Sequence, residues 1–136
     1  MRLLTQAAGG FSLIEWVYVA CGGALGAISR HAVNLAVTNL MGSTLVGTFI
    51  ANITGSFILG LLIAFWEPRG EFPTEHRLFL AVGFLGSYTT FSTLAVATTQ
   101  SFESGDIGRA ALNLGGSIAI GLAAAFAGLA VGRAIA

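Results

Sequence analysis

Four apolar stretches, separated by short segments that gather most of the charge, set the pattern of the chain. Spans are expected at roughly residues 13–36, 44–66, 76–100 and 109–135, each near the about 20 residues that an α-helix needs to cross the hydrocarbon core of a bilayer. The punctuation between them is chemical. Asn34 to Ser43 reads as a loop with Gly42 and Ser43 as breakers, Glu67 to Arg77 holds both prolines, and Ser101 to Gly108 makes a short polar turn. No repeat or second domain is visible, so residues 1–136 are expected to form a single four-span, all-α membrane domain.

Polar residues interrupt the apolar pattern at regular places. Thr48, Asn52 and Ser56 recur every four residues and therefore share one face of the second helix. In the third span, Ser87, Tyr88, Thr89, Thr90, Ser92 and Thr93 crowd around Phe91, inside a stretch from Leu78 to Phe102 that carries no charge. Hydrocarbon offers no water to satisfy these hydroxyls, so they must face protein or a water-filled path. Gly83 and Gly86, placed just before this run, weaken the helix. A break in the third helix near its middle, from Gly86 to Thr89, is expected. Asn113, Ser117 and Gly121 share a face of the fourth span, while Gly22 with Gly26 and Gly128 with Gly132 form small-residue pairs suited to close helix contact.

Composition sharpens this picture. Only 9% of residues are charged, against about 25% in an ordinary soluble domain, and no lysine occurs. A net charge of zero gives nucleic acid no electrostatic foothold. The single cysteine, Cys21, cannot form an internal disulfide, and its apolar neighbours suggest a buried structural thiol. Arg2 followed by apolar residues imitates a signal segment, but Glu15 and Tyr18 count against cleavage, and a retained first span is expected. Arg2, Arg69, Arg77 and Arg133 fall on one side and Arg30 and Arg109 on the other, a bias too weak to orient the protein firmly.

Each candidate site residue has two readings. Asn52 is either a helix–helix hydrogen bond or a ligand-facing donor, and Thr48 and Ser56 on the same face favour the second. Ser117 and Asn113 are explained more simply, since a serine in a span can bond its own backbone. Phe91 offers an electropositive ring edge that attracts a small anion. Arg30 is either a snorkelling interfacial side chain or an anion-gathering group at a pore mouth. His31 and His76 lack partners at metal-ligand spacing, and no nucleophile, base and orienting carboxylate can be assembled, so enzymatic chemistry is not expected.

With these residues in hand, the chain resembles the Fluc/CrcB family of fluoride channels over nearly its full length. The motifs that carry the resemblance are Gly22-Gly23-Ala24-Leu25-Gly26-Ala27 with Arg30, then Gly47-Thr48 with Asn52, Gly55, Ser56, Phe57 and Gly60, and then Gly83-Phe84-Leu85-Gly86 through Thr89-Thr90-Phe91-Ser92-Thr93. The resemblance implies a four-span subunit that pairs antiparallel, in dual topology, with a second copy, giving two fluoride pores per dimer in the cell inner membrane. It also implies that backbone carbonyls of Gly86 and Thr89 hold a structural Na+ where the broken third spans cross. Asn52 would donate to the permeating anion and Phe91 present its ring edge, with Thr48 and Ser117 extending the polar track. Passive efflux would then lower cytoplasmic fluoride.

The sequence departs from the family pattern at three places. Leu94 stands where a second phenylalanine is usual, Ala97 where an acidic residue is frequent, and Asn113 where tyrosine is common. These fit either a variant homodimer or a subunit completed by a paralogous partner. A competing reading is a small dual-topology multidrug exporter coupled to protons through Glu15.

Overall fold

The computed structural model describes residues 12–136, and every described element is helical. Arg2 lies outside the described residues. Helix α1 runs from Leu13–Met41 and opens with a capping box: Ser12 Oγ accepts the amide of Ile14 at 3.3 Å, and Glu15 Oε2 accepts the amide of Ser12 at 3.2 Å. It ends at Gly42, whose φ of +69° suits glycine and whose amide returns to Thr38 O at 2.8 Å. The loop expected from Asn34 to Ser43 is therefore a correction, because the helix continues to Met41 and only Gly42 and Ser43 break it. Cys21 is a second correction, being exposed on the outer side of α1 instead of buried.

Helix α2 spans Thr44–Trp66 and passes through a short 3-10 turn, Glu67–Arg69, into the proline-containing loop. There Trp66 stacks on Phe72 at 5.8 Å between ring centroids. Helix α3, residues 74–88, is α-helical at both ends and π-helical over Arg77–Leu85. Thr89 and Thr90 are extended, with ψ of 155° and 120°, and α4 starts afresh at Phe91–Glu103. Gly86 itself is helical, with φ −62° and ψ −31°, so the extended residues are the two threonines and not the glycine. A turn with Gly105 at φ +82° leads to α5, Ile107–Ile135, capped by Asp106, whose Oδ1 accepts the amide of Arg109 at 3.0 Å.

Helices meet through glycine. A Cβ on Gly22 or Gly26 would strike the carbonyls of Phe79 and Phe84, so α1 lies directly on the π-helical part of α3. Gly60, Gly128 and Gly132 bring α2 and α5 together along their length, and this is the most extensive helix pair. Both glycine pairs singled out in the sequence thus mark backbone-to-backbone contacts. The core is small, consisting of Ala51, Leu85 and Tyr88 with Val33, Leu59, Leu62 and Phe84 against them. Large apolar residues such as Ile118, Leu122 and Phe126 point outward instead. That inversion suits a hydrocarbon solvent, where association rests on close packing and not on burying apolar surface. Three helical stretches, Thr44–Arg69, Thr74–Glu103 and Ile107–Ile135, are long and apolar enough to cross a membrane by length and composition. α1 matches them in length at 29 residues but carries Glu15, Arg30, His31 and Asn34.

Arg133 Nε meets Glu67 Oε2 at 3.5 Å, which joins the end of α5 to the end of α2. Both side chains are mostly exposed, and pairs of this kind are worth less than about 1 kcal/mol. Arg133→Gln is expected to shift the thermal midpoint in detergent by no more than the scatter between preparations. A drop of several degrees would show that this clip is structural.

Candidate functional site

The site is built on the pair of extended threonines between α3 and α4. In a continuous helix the amide of Thr90 would bond the carbonyl of Gly86; here it donates to Asn52 Oδ1 at 2.8 Å, while Asn52 Nδ2 donates to Thr90 O at 3.0 Å. The side-chain amide on α2 thus supplies the acceptor that Thr90 N–H loses where the helical ladder stops, and adds a donor to the carbonyl of this N-cap residue. The orientation of the amide follows from Thr90 N–H, which needs an oxygen and so turns Nδ2 toward Thr90 O.

Local hydroxyls finish the arrangement. Thr89 Oγ1 donates to Leu85 O at 2.9 Å, and the Thr89 amide reaches the same carbonyl at 3.0 Å. Thr90 Oγ1 lies 3.2 Å from both Ser92 Oγ and Thr93 Oγ1 and caps α4. Tyr88 OH pairs with Thr54 Oγ1 at 2.9 Å, and a Cβ on Gly55 would meet Thr89, so α2 presses closely on the break. From α1, Arg30 Nη1 reaches Thr89 O at 3.5 Å. Arg30 was expected close to the interface. Instead α1 runs on to Met41, and Arg30 lies roughly 16 Å short of that end at about 1.5 Å per residue.

A cleft of about 300 Å³ opens beside the break, lined by Asn52, Ser56, Gly86, Thr90, Phe91 and Leu94 among others. Four residues proposed from sequence, Asn52, Ser56, Gly86 and Phe91, therefore meet at one place, with Thr89 also on the wall. Phe91 is 73% exposed, whereas Leu94 one turn later is 7% exposed and packed inward. Thr48 and Ser117 do not line this cleft; they are 2% and 7% exposed, and neither hydroxyl has a hydrogen-bond partner. The plainer account of Ser117, a hydroxyl bonded to its own helix, therefore does not hold. An unpaired buried hydroxyl costs about 1–3 kcal/mol, so two of them in so small a domain ask for a ligand.

Asn34 Oδ1 and Thr38 Oγ1 are also buried without partners. Sequence reasoning missed them by assigning that stretch to a loop, although their spacing of four residues was the signal of a helix face. Asn34 Oδ1 lies against the Gly47 backbone, where a Cβ would come within 2.6 Å. Asn113 Nδ2 donates to Thr98 Oγ1 at 3.0 Å, a bond that joins α5 to α4 and accounts for this residue as packing. Among the described residues no group of three or more His, Cys, Asp or Glu side chains could hold a metal ion.

An all-helical, multi-pass membrane protein with a polar seam inside it is the class that this fold and site define. Comparison with known proteins narrows it. The family model described as CrcB-like protein, Camphor Resistance (CrcB), matches residues 17–129. A protein of Methylobacterium nodulans named fluoride-specific ion channel FluC is 44% identical over 121 residues, covering 89% of this chain and 98% of that one. Those of Rhodopseudomonas palustris and Acidobacterium capsulatum, with the same name, are 40% and 37% identical over 123 residues, covering 90% of this chain and 99% and 98% of theirs. The chain belongs to the CrcB family.

Proposed function

We propose that the chain is a fluoride-selective ion channel, not an enzyme, that lets fluoride leave the cell passively across the inner membrane. The observation that carries the reading is the cleft in which Asn52, Ser56 and Phe91 meet beside the extended threonines, with the unpartnered hydroxyls of Thr48 and Ser117 buried on the helices around it. Fluoride is small and strongly hydrated, so a path for it must offer hydrogen-bond donors at close range where it sheds water. Hydroxyls, one side-chain amide and the positive edge of an aromatic ring do so without a fixed charge that would trap the ion. The names of the relatives support the same ion.

Our reading is of an antiparallel, dual-topology dimer with two pores, in which all four long helical stretches cross the bilayer. Phe91 fits it, because its ring is 73% exposed on the wall of the cleft and is free to meet a second copy there. The partner is a second copy of this chain; a mass measurement on the intact complex would instead reveal a paralogue. The third span is one helix interrupted at Thr89 and Thr90.

A structural Na+ fits the donors in kind. The Gly86 carbonyl loses its helical donor because Thr90 N–H is taken by Asn52, and the Thr89 carbonyl lies outside the helical ladder with only the long contact from Arg30. Hard cations take several oxygen ligands. Two carbonyls from one chain are too few, so the second copy would complete the set, and the ion would tie the two breaks together.

The exporter reading finds no support: Glu15 belongs to the first turn of α1, where its carboxylate is engaged by the capping box. The test is transport. Liposomes holding the purified protein and loaded with potassium fluoride are expected to release fluoride once valinomycin clamps the potential, with chloride retained. Comparable chloride release, or release of neither ion, overturns the proposal.

A further inference from the structure

A second recess, of about 650 Å³, opens on the other side of the first turn of α4 and is larger than the cleft already described. Its walls include Thr44, Ser92, Thr93, Ala97, Gln100 and Arg109. It lies where the start of α2 meets the turn between α4 and α5, so it faces an end of the helical bundle. Phe91 lines the cleft and Ser92 and Thr93 line the recess, which means that a single helical turn divides the two spaces.

The electrostatics of the recess are one-sided. Arg109 is the one charged residue on its wall, and the wall carries no carboxylate. The acidic group nearest to Arg109 in sequence, Asp106, commits Oδ1 to the cap of α5. Arg109 stands between two spaces, sharing with Asp106 the wall of a neighbouring, more apolar recess, whereas the larger polar recess has no acidic residue on its wall. Glu103, on the last turn of α4, lines neither space. The guanidinium of Arg109 makes no ion pair or side-chain hydrogen bond among the described residues. Its position also works against local stability: Arg109 occupies the first turn of α5, the positive end of the helix dipole, where a cation is disfavoured. An arginine at the unfavourable end of a helix dipole, with no ion pair among the described residues and a hydroxyl-bearing recess beside it, is not explained by the packing of α5.

We propose that this recess is the anion-gathering entrance of the pore and that Arg109 is the charge that fills it. The inference rests on the reading of the chain as a fluoride channel and adds where capture occurs and what limits it. Arg109 raises the local anion concentration without binding the ion tightly, because the charge stands on the wall of an open recess that it shares with the hydroxyl residues Ser92 and Thr93, which follow Phe91 in the chain. Ala97 belongs to the same device. A carboxylate at that position would share the wall with Arg109 and cancel its field, so the small uncharged side chain keeps the entrance positive.

The experiment is fluoride efflux from liposomes at two ionic strengths, set with an impermeant potassium salt. A single charge in a wet recess acts over about 30 Å at 0.01 M salt and about 3 Å at 1 M. Arg109→Gln is therefore expected to slow efflux roughly three- to tenfold at the low ionic strength and less than twofold at the high one. Ala97→Glu should reproduce that pattern, Ala97→Gln should not, and Arg109→Lys should restore the wild-type rate. Equal rates for wild type and Arg109→Gln at low salt would overturn the inference while leaving the channel reading intact. Slowing that is the same at both salts, or that lysine does not rescue, would also overturn it, since a structural or topological role has no salt dependence. A wild type that moves no fluoride at all fails the channel reading itself.

Discussion

Asn52→Leu is expected to reduce fluoride efflux from liposomes by at least about 100-fold, equivalent to about 2.7 kcal/mol. The reason lies in the fork that Asn52 makes with Thr90. Leucine removes the acceptor of Thr90 N–H at 2.8 Å and the donor to Thr90 O at 3.0 Å together, and Thr90 is a buried residue. The Thr90 N–H, left without an acceptor, costs about 1–3 kcal/mol. The extended pair Thr89–Thr90 then loses its advantage over a continuous helix, in which Thr90 N–H would bond Gly86 O. Phe91 and the hydroxyls of α4 would rotate away from the cleft with it. Asn52→Asp should fare no better, because it keeps the acceptor but places an unneutralised carboxylate where an anion has to pass. Efflux within threefold of wild type in the leucine variant would show that the fork does not govern the path.

Gly128→Leu is expected to prevent a stable fold. A side chain there collides with the carbonyl of Phe57, with its carbon at 2.9 Å and Leu61 N at 3.0 Å, and all of these are backbone atoms that cannot turn aside. α2 and α5 would have to part along their whole contact. Overpacking commonly costs about 1–3 kcal/mol and more where backbone must move, and in lipid no hydrophobic drive returns the helices to each other. The variant should be lost on detergent extraction or show a collapsed thermal midpoint. Gly121→Ala on the same helix is the control. Its Cβ meets only the flexible end of Ile53 at 3.9 Å, so it should be neutral or gain up to about 1 kcal/mol from helix propensity. Equal behaviour of the two would sink the packing argument.

Much of this was legible beforehand because hydropathy and helical period are local. The four apolar stretches, the glycine pairs of α1 and α5 and the stripe of Thr48, Asn52 and Ser56 follow from spacing alone. Errors came where local signals are weak. Asn34 to Met41 is polar enough to resemble a loop, yet a helix end is decided by its cap, and here that is Gly42 with φ +69°. The break was expected from Gly86 onward because glycine weakens helices. Glycine permits an interruption but does not cause one; the amide of Asn52 on another helix holds the extended residue Thr90, four positions further on. Cys21 was placed inside because its neighbours are apolar, but in a protein solvated by hydrocarbon, apolar residues face outward too.

The sequence by itself determined that this is a helical membrane chain with hydroxyls and an amide inside it, since the energetic cost of polar groups in hydrocarbon leaves no other reading. Tertiary structure alone decided what those groups do. It placed Thr90 within reach of Asn52 across 38 positions of chain, brought Arg30 to the Thr89 carbonyl, and left Thr48 and Ser117 without partners. Hydrogen bonds depend on distance and direction between helices, and those are set by which glycines let backbones touch, a property that no stretch of sequence contains on its own.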